Sequence, residues 1–300
     1  MSEVKPAWKG TTGGGNFGQK AIFFLFRFVD IRVGYAILAF VIPFYMLFNR
    51  KGYLGIRDYF RHRGVTRHIN RHIYRNHYLF GQVMMDKFYC FARNKNIFRS
   101  RITNWDSFTR LLNSRVGFMI SGSHMGNFEI CGYFTQQDLK KLYAVVFGGE
   151  SAFIQTNRAR ALSGNMAELI TVAPDMSHLF TIKAALEHGD IVSMPCDRLF
   201  GSRKFFTVPF LGTPAQFPIG AFLLAAQLEV PMISLYVMRE PGMQYHTICR
   251  PVEVNRSQYK NSRSIAEALC RTYVRQLEEV LEEYPHQWFN FYKFWDNQTL

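Results

Sequence analysis

The stretch "VGFMISGSHMGNFEICGYF", residues 116–134, runs from an apolar segment of strand length into Gly122, His124, Gly126, Asn127 and Glu129, and then into a helical pattern. A strand that ends in glycines and polar residues before a helix begins is the unit from which α/β proteins are built. Loops at the carboxyl ends of such strands hold side chains out from a rigid scaffold, which makes this junction a favoured place for chemistry.

Working outward, further short apolar runs read as strands: "LYAVVF" (142–147), "ELITVA" (168–173), "DIVSMP" (190–195), "PMISLYVM" (231–238) and "HTICRPVEV" (246–254). Between and after them, 127–138, 151–164, 177–188, 218–228 and 262–283 read as helices. The alternation predicts an α/β fold with a largely parallel mixed sheet flanked by helices. This body is expected over 101–300, with residues 1–100 forming a helical, membrane-anchoring region ahead of it.

Composition narrows the partners. With 300 residues, 48% of them hydrophobic, the chain can bury a sizeable core. Its formal charge of +14 points to a polyanion: nucleic acid, an anionic membrane, a phosphorylated lipid or an acidic protein. Twenty-nine Phe and 15 Tyr favour a lipid or bilayer surface among these. Cys90, Cys131, Cys196, Cys249 and Cys270 are scattered without C-x-x-C spacing, so neither a disulfide framework nor a metal site is expected, and a reducing compartment fits. "GGGNFG" (13–18) matches a dinucleotide fingerprint only formally, because no strand precedes it, and no cofactor is expected.

Residues 21–48 are the most hydrophobic of the chain, but Arg27, Asp30 and Arg32 would each cost about 2.5–3.5 kcal/mol at a bilayer centre. The uncharged remainder, 33–48, is interrupted by Pro43, and the segment reads as an anchor that either spans with tilt or lies in one leaflet. Behind it Arg67, Arg71 and Arg75 recur every fourth residue, a basic stripe suited to an anionic membrane surface. His68 and His72 lack the intervening carboxylate of a metal-binding helix, and no nucleic-acid-binding pattern accompanies the charge.

At the junction itself, His124 in the loop and Glu129 in the first helical turn form a candidate base–acid dyad, with the carboxylate fixing the imidazole tautomer. A dyad without its own nucleophile suits activation of a substrate hydroxyl. Ser123 is not set in G-x-S-x-G, which disfavours a serine hydrolase. Oxyanion donors are sought in the backbone near Gly126 and Asn127 or in the Asn127 amide, unless Asn127 is only a helix cap. Arg158, Arg160, Arg198, Arg203 and Lys204 are candidates to grip phosphates, and Asp197 to orient a sugar hydroxyl or an arginine.

The segment "SHMGNFE" resembles the His-x-x-x-x-Asp/Glu motif of the lysophospholipid acyltransferase superfamily, in particular the branch of late acyltransferases of lipid A biosynthesis. Residues 197–240, beginning "DRLFGSRKFFTVPFLGTPAQFP", the ending "EEYPHQWFNFYKFW" and the amino-terminal "WKGTTGGGNFG" with its apolar anchor are similar to that branch as well. Glycerophosphate-acylating branches place Asn before the histidine and carry a later Pro-Glu-Gly; here Ser123 and "PCDR" (195–198) stand instead. The resemblance implies a glycerolipid acyltransferase-like fold. It further implies fatty acyl transfer from acyl carrier protein to a glycolipid hydroxyl at the cytoplasmic face of the inner membrane. Competing expectations are another lipid acceptor (an amino lipid, phosphoglycolipid or polyene alcohol) or a non-catalytic basic protein that binds membrane or nucleic acid.

Overall fold

The computed structural model describes residues 24, 26–93, 97–127, 139–146, 167–173, 175–199, 202 and 204–296. The helices expected over 127–138 and 151–164 therefore fall almost wholly outside the described residues, as do Glu129, Cys131, Arg158, Arg160 and Arg203.

Three helices open the described chain: α1 (Ile31–Phe48), α2 (Arg50–His62) and α3 (Ile69–Arg93). The α/β body follows as β1 (Arg99–Thr103), α4 (Trp105–Asn113), β2 (Phe118–Gly122), β3 (Leu142–Val146), β4 (Ala167–Thr171), α5 (His178–His188) and β5 (Ile191–Pro195). It continues through β6 (Phe205–Phe210), β7 (Thr213–Pro218), α6 (Gly220–Gln227), β8 (Met232–Glu240), β9 (Gln244–Pro251) and α7 (Ser262–Glu283). Seven strands form one sheet in the order β1-β9-β8-β2-β5-β3-β4, parallel throughout except for the antiparallel pair β8–β9. The α/β fold with a largely parallel mixed sheet is thus the one read from the sequence.

Helices cover both faces, which is why the central strands read as unbroken apolar runs. Phe118 and Ile120 of β2, with Ile233, Leu235 and Val237 of β8, point into a core shared with Phe26, Ile31, Tyr35, Phe88 and Phe108. Met119, Val192, Tyr236 and Met238 point the other way, into a core shared with α5, α6 and α7. Helix α7 follows an Asn261–Ser264 capping box and buries Ala266, Leu269, Tyr273, Leu277 and Val280 at helical spacing. Packing runs across residue 100: Ile56, Tyr59, Phe60 and Ile73 from the first helices lie in the same buried cluster as Met119, Val192 and Trp288.

Two features were not expected. Strand β1 is a mostly exposed edge strand, "RSRIT", with no apolar run to betray it. Strands β6 and β7 form a hairpin around Leu211 and Gly212, both at positive φ, as a two-residue turn requires. Pro209 and Pro214 face each other in it and mask the strand pattern, although Phe206, Val208 and Phe210 alternate inward. The Leu211 N–H, placed outward by its left-handed conformation, donates to Glu278 Oε1 at 2.5 Å.

Helix α1 has two unlike faces. Ile31, Gly34, Tyr35, Leu38 and Ile42 are buried, largely against α3, whose Tyr74 and Tyr78 hydroxyls donate to the Ala39 and Tyr35 carbonyls at 3.1 and 3.2 Å. The opposite side is apolar and open, with Phe40 77%, Phe44 65%, Leu47 71% and Phe48 87% exposed. Among the described helices α1 alone is long and apolar enough to enter a membrane by length and composition. Arg67, Arg71 and Arg75 are all exposed, while His72 turns to His286, their ring nitrogens 3.0 Å apart.

Candidate active site

Strands β2 and β5 are parallel neighbours in the register Gly122↔Pro195. His124 and Asp197 therefore each stand two residues beyond matched strand ends, and the Cys196 N–H still donates to the Gly122 carbonyl at 2.9 Å. Chain order turns to opposite sides of β2 here, towards β3 through β5 and towards β8, the kind of topological switch point at which open α/β sheets place their sites.

There His124 Nδ1 lies 2.7 Å from Asp197 Oδ1, and the His124 backbone N–H donates to Asp197 Oδ2 at 2.8 Å. The Trp288 indole Nε1–H donates to the same Oδ2 at 3.1 Å. Burial alone would raise the Asp197 carboxyl, but the His124 charge, the His124 hydrogen bonds and Arg198 outweigh it and hold it down to about 2. An ionised carboxylate at Nδ1 assigns the proton to that nitrogen and the basic lone pair to Nε2. The imidazole is 21% exposed and Asp197 not at all.

The loop carrying His124 is gripped from two sides. Phe289 N–H donates to the His124 carbonyl at 2.9 Å, Met125 pairs with Trp288 as an isolated bridge, and Gly126 N–H donates to the Gln287 carbonyl at 2.9 Å. On the other side Asn127 N–H donates to the Val237 carbonyl of β8 at 2.7 Å. Gly126 adopts φ +54°, and a Cβ there would lie 2.1 Å from the Val237 oxygen. The glycine is needed for approach to β8, not to a substrate.

This geometry corrects several expectations. The Gly126 and Asn127 N–H groups are committed to backbone carbonyls and cannot receive an oxyanion. The Asn127 amide is buried and donates to the Tyr245 hydroxyl at 3.1 Å. Asp197 is fully buried with its oxygens bonded to His124 and Trp288, which leaves no exposed face for a sugar hydroxyl. Arg198 donates through Nη2 to the Phe289 carbonyl at 2.6 Å and lies over the Tyr292 ring, which ties it to the carboxyl-terminal segment. Lys204 is exposed at the foot of β6. Among the described residues the buried Ser123 hydroxyl has no hydrogen-bond partner, and no base among them reaches it.

Two parts of the site were missed. The aromatic ending was noticed, but not that Trp288 reaches Asp197. Behind the loop, fully buried Asp86 of α3 accepts from Arg239 Nε at 2.9 Å and from the Tyr35 and Tyr245 hydroxyls. Tyr245 in turn receives the Asn127 amide, so the carboxylate joins α1, α3, β8, β9 and the His124 loop.

A histidine with its carboxylate at the carboxyl ends of adjacent parallel strands is an arrangement suited to general-base chemistry. The profile of the bacterial lipid A biosynthesis acyltransferase family matches residues 69–297, and the chain belongs to that family. It is a lipid acyltransferase. No curated protein sequence matches it. Among solved structures, the chain is similar to the crystal structure of the 1-acyl-sn-glycerophosphate (LPA) acyltransferase PlsC from Thermotoga maritima. The two are 12% identical, with 83% of this chain and 98% of that chain covered and a TM-score of 0.36.

Proposed function

We propose that the protein moves a fatty acyl chain from acyl carrier protein to a hydroxyl of a lipid A-type glycolipid at the cytoplasmic face of the inner membrane. The observation that carries this reading is the 2.7 Å contact between His124 Nδ1 and buried Asp197 in a member of this family. His124 Nε2 takes the proton of the acceptor hydroxyl as its oxygen attacks the thioester carbonyl, and a tetrahedral oxyanion forms. Collapse breaks the carbon–sulfur bond, and the imidazolium returns the proton to the departing thiolate. The products are the ester and the free carrier thiol.

Asp197 keeps the Nδ1 proton in place and balances the imidazolium charge. Glu129, five residues on in the sequence, adds a second negative charge that favours the imidazolium. Arg158, Arg160 and Arg203 hold phosphates of the acceptor or of the carrier's prosthetic arm, for which guanidinium forks are suited. The exposed apolar side of α1 enters one leaflet while its other side stays on α3, and Arg67, Arg71 and Arg75 meet the anionic headgroups.

The test is to incubate the purified protein with acyl carrier proteins of several chain lengths and candidate glycolipids, and to look for an added acyl group by mass spectrometry. His124→Ala abolishes the product if the reading holds, and wild-type rates in that variant sink it. Acylation of an amino lipid, phosphoglycolipid or polyene alcohol in place of the glycolipid keeps the chemistry and replaces the acceptor.

A further inference from the structure

Trp288 is completely buried and packs against Tyr59, Phe210, Phe294 and Trp295. Filling that space needs only an aromatic ring, which phenylalanine supplies without a polar atom to satisfy. The indole nevertheless aims its one donor at the carboxylate that orients His124. Asp197 Oδ2 receives Trp288 Nε1–H and the His124 backbone N–H, and this leaves Oδ1 to face the His124 ring.

We propose that Trp288 is a positioning residue of the reaction: its N–H pins one carboxylate oxygen of Asp197, so that the other meets His124 Nδ1 in line. The inference rests on the His124–Asp197 base proposed above. Without that donor Oδ2 keeps only the His124 backbone N–H, the carboxylate can turn further about its Cβ–Cγ bond, and the bond to Nδ1 loses length and direction. The backbone reinforces the arrangement. Trp288 is bridged to Met125, Gln287 accepts from Gly126, and Phe289 donates to His124. The height of the indole over Asp197 is thereby set together with the His124 loop.

The test replaces Trp288 by phenylalanine and, through an expanded genetic code, by β-(3-benzothienyl)alanine, in which sulfur stands for N–H and the shape is kept. Both are assayed in the full-length protein beside Asp197→Asn. The expected result is a fall in kcat of about 10- to 100-fold for both Trp288 variants, with KM unchanged. The acid limb of the kcat–pH profile is displaced in both, and the melting midpoint of the isostere stays at the wild-type value. An isostere with wild-type kcat and pH profile overturns the proposal even if Trp288→Phe is impaired, because ring packing is then the whole role. Wild-type activity in Asp197→Asn overturns the underlying base assignment itself. An inactive Asp197→Asn beside a fully active isostere removes only the role of Trp288.

Discussion

His124 and Asp197 are 73 residues apart in sequence and 2.7 Å apart at Nδ1 and Oδ1. They meet because β2 and β5 pair in register and each strand is followed at the same distance by one of the two. Asp197→Asn keeps the shape but presents an amide to Nδ1, which favours the wrong tautomer. We expect kcat to fall by about 100- to 10,000-fold. Glu129→Gln lowers it by a smaller factor. Single-turnover acyl transfer with both variants checks the order, and a milder loss in Asp197→Asn would reassign the imidazole's partner.

Gly126→Ala forces a side chain into left-handed backbone and against the Val237 carbonyl. The substitution is expected to cost about 2–4 kcal/mol of stability, measured by chemical denaturation. Activity falls with it, since the displaced loop is the one that holds His124. Gly212, also at positive φ but with open space around it, serves as the control: alanine there brings only the backbone penalty.

The carboxyl-terminal segment should loosen on acidification. Burial, with the charges of Arg75, His72 and Arg63, depresses His286 from 6.5 to about 4. The unfolded chain therefore takes up this proton first as pH falls. The contribution is whole above pH 6.5 and is lost between 6.5 and about 4, at up to about 1.4 kcal/mol per pH unit. His286→Phe keeps the packing on Phe60 and removes the titration. Denaturation midpoints at pH 7 and pH 5 should differ less in the variant than in the wild type, and equal differences refute the linkage.

Phe40, Phe44 and Leu47 lie on the open side of α1. Changing all three to aspartate should release the protein from sedimenting vesicles containing anionic lipid, because each side chain withdrawn from an apolar medium forfeits about 1.5–3 kcal/mol. Circular dichroism should be unchanged, since none of the three is part of the buried side of α1. Retention on the vesicles would place the membrane contact elsewhere.

Much of the sheet was legible because its central strands are apolar on both faces, and α7 occupies the predicted span, 262–283. The edge strand β1 was not, having no buried face to write into its sequence. At the site, His124 could be singled out from local signals: a strand end, glycines and a polar loop. The partnership with Asp197 depends on strand register, and the commitment of Gly126 and Asn127 depends on β8 and the chain ending coming to the same loop. Neither leaves a trace within a window of the sequence. Trp288 stood out as aromatic, but aromatic residues are common in this chain, and only the fold distinguishes the one whose N–H reaches a carboxylate.

The carboxylate of Asp86 ties Tyr35 of α1 to Tyr245, and through it to Asn127, three residues from His124. The greasy flank of α1 and the His124 loop are thus joined through one buried hydrogen-bonded carboxylate. If the flank rests on a bilayer and His124 is the base proposed above, that linkage would act as a depth gauge, favouring a hydroxyl at the matching level over those set higher or lower on the same molecule.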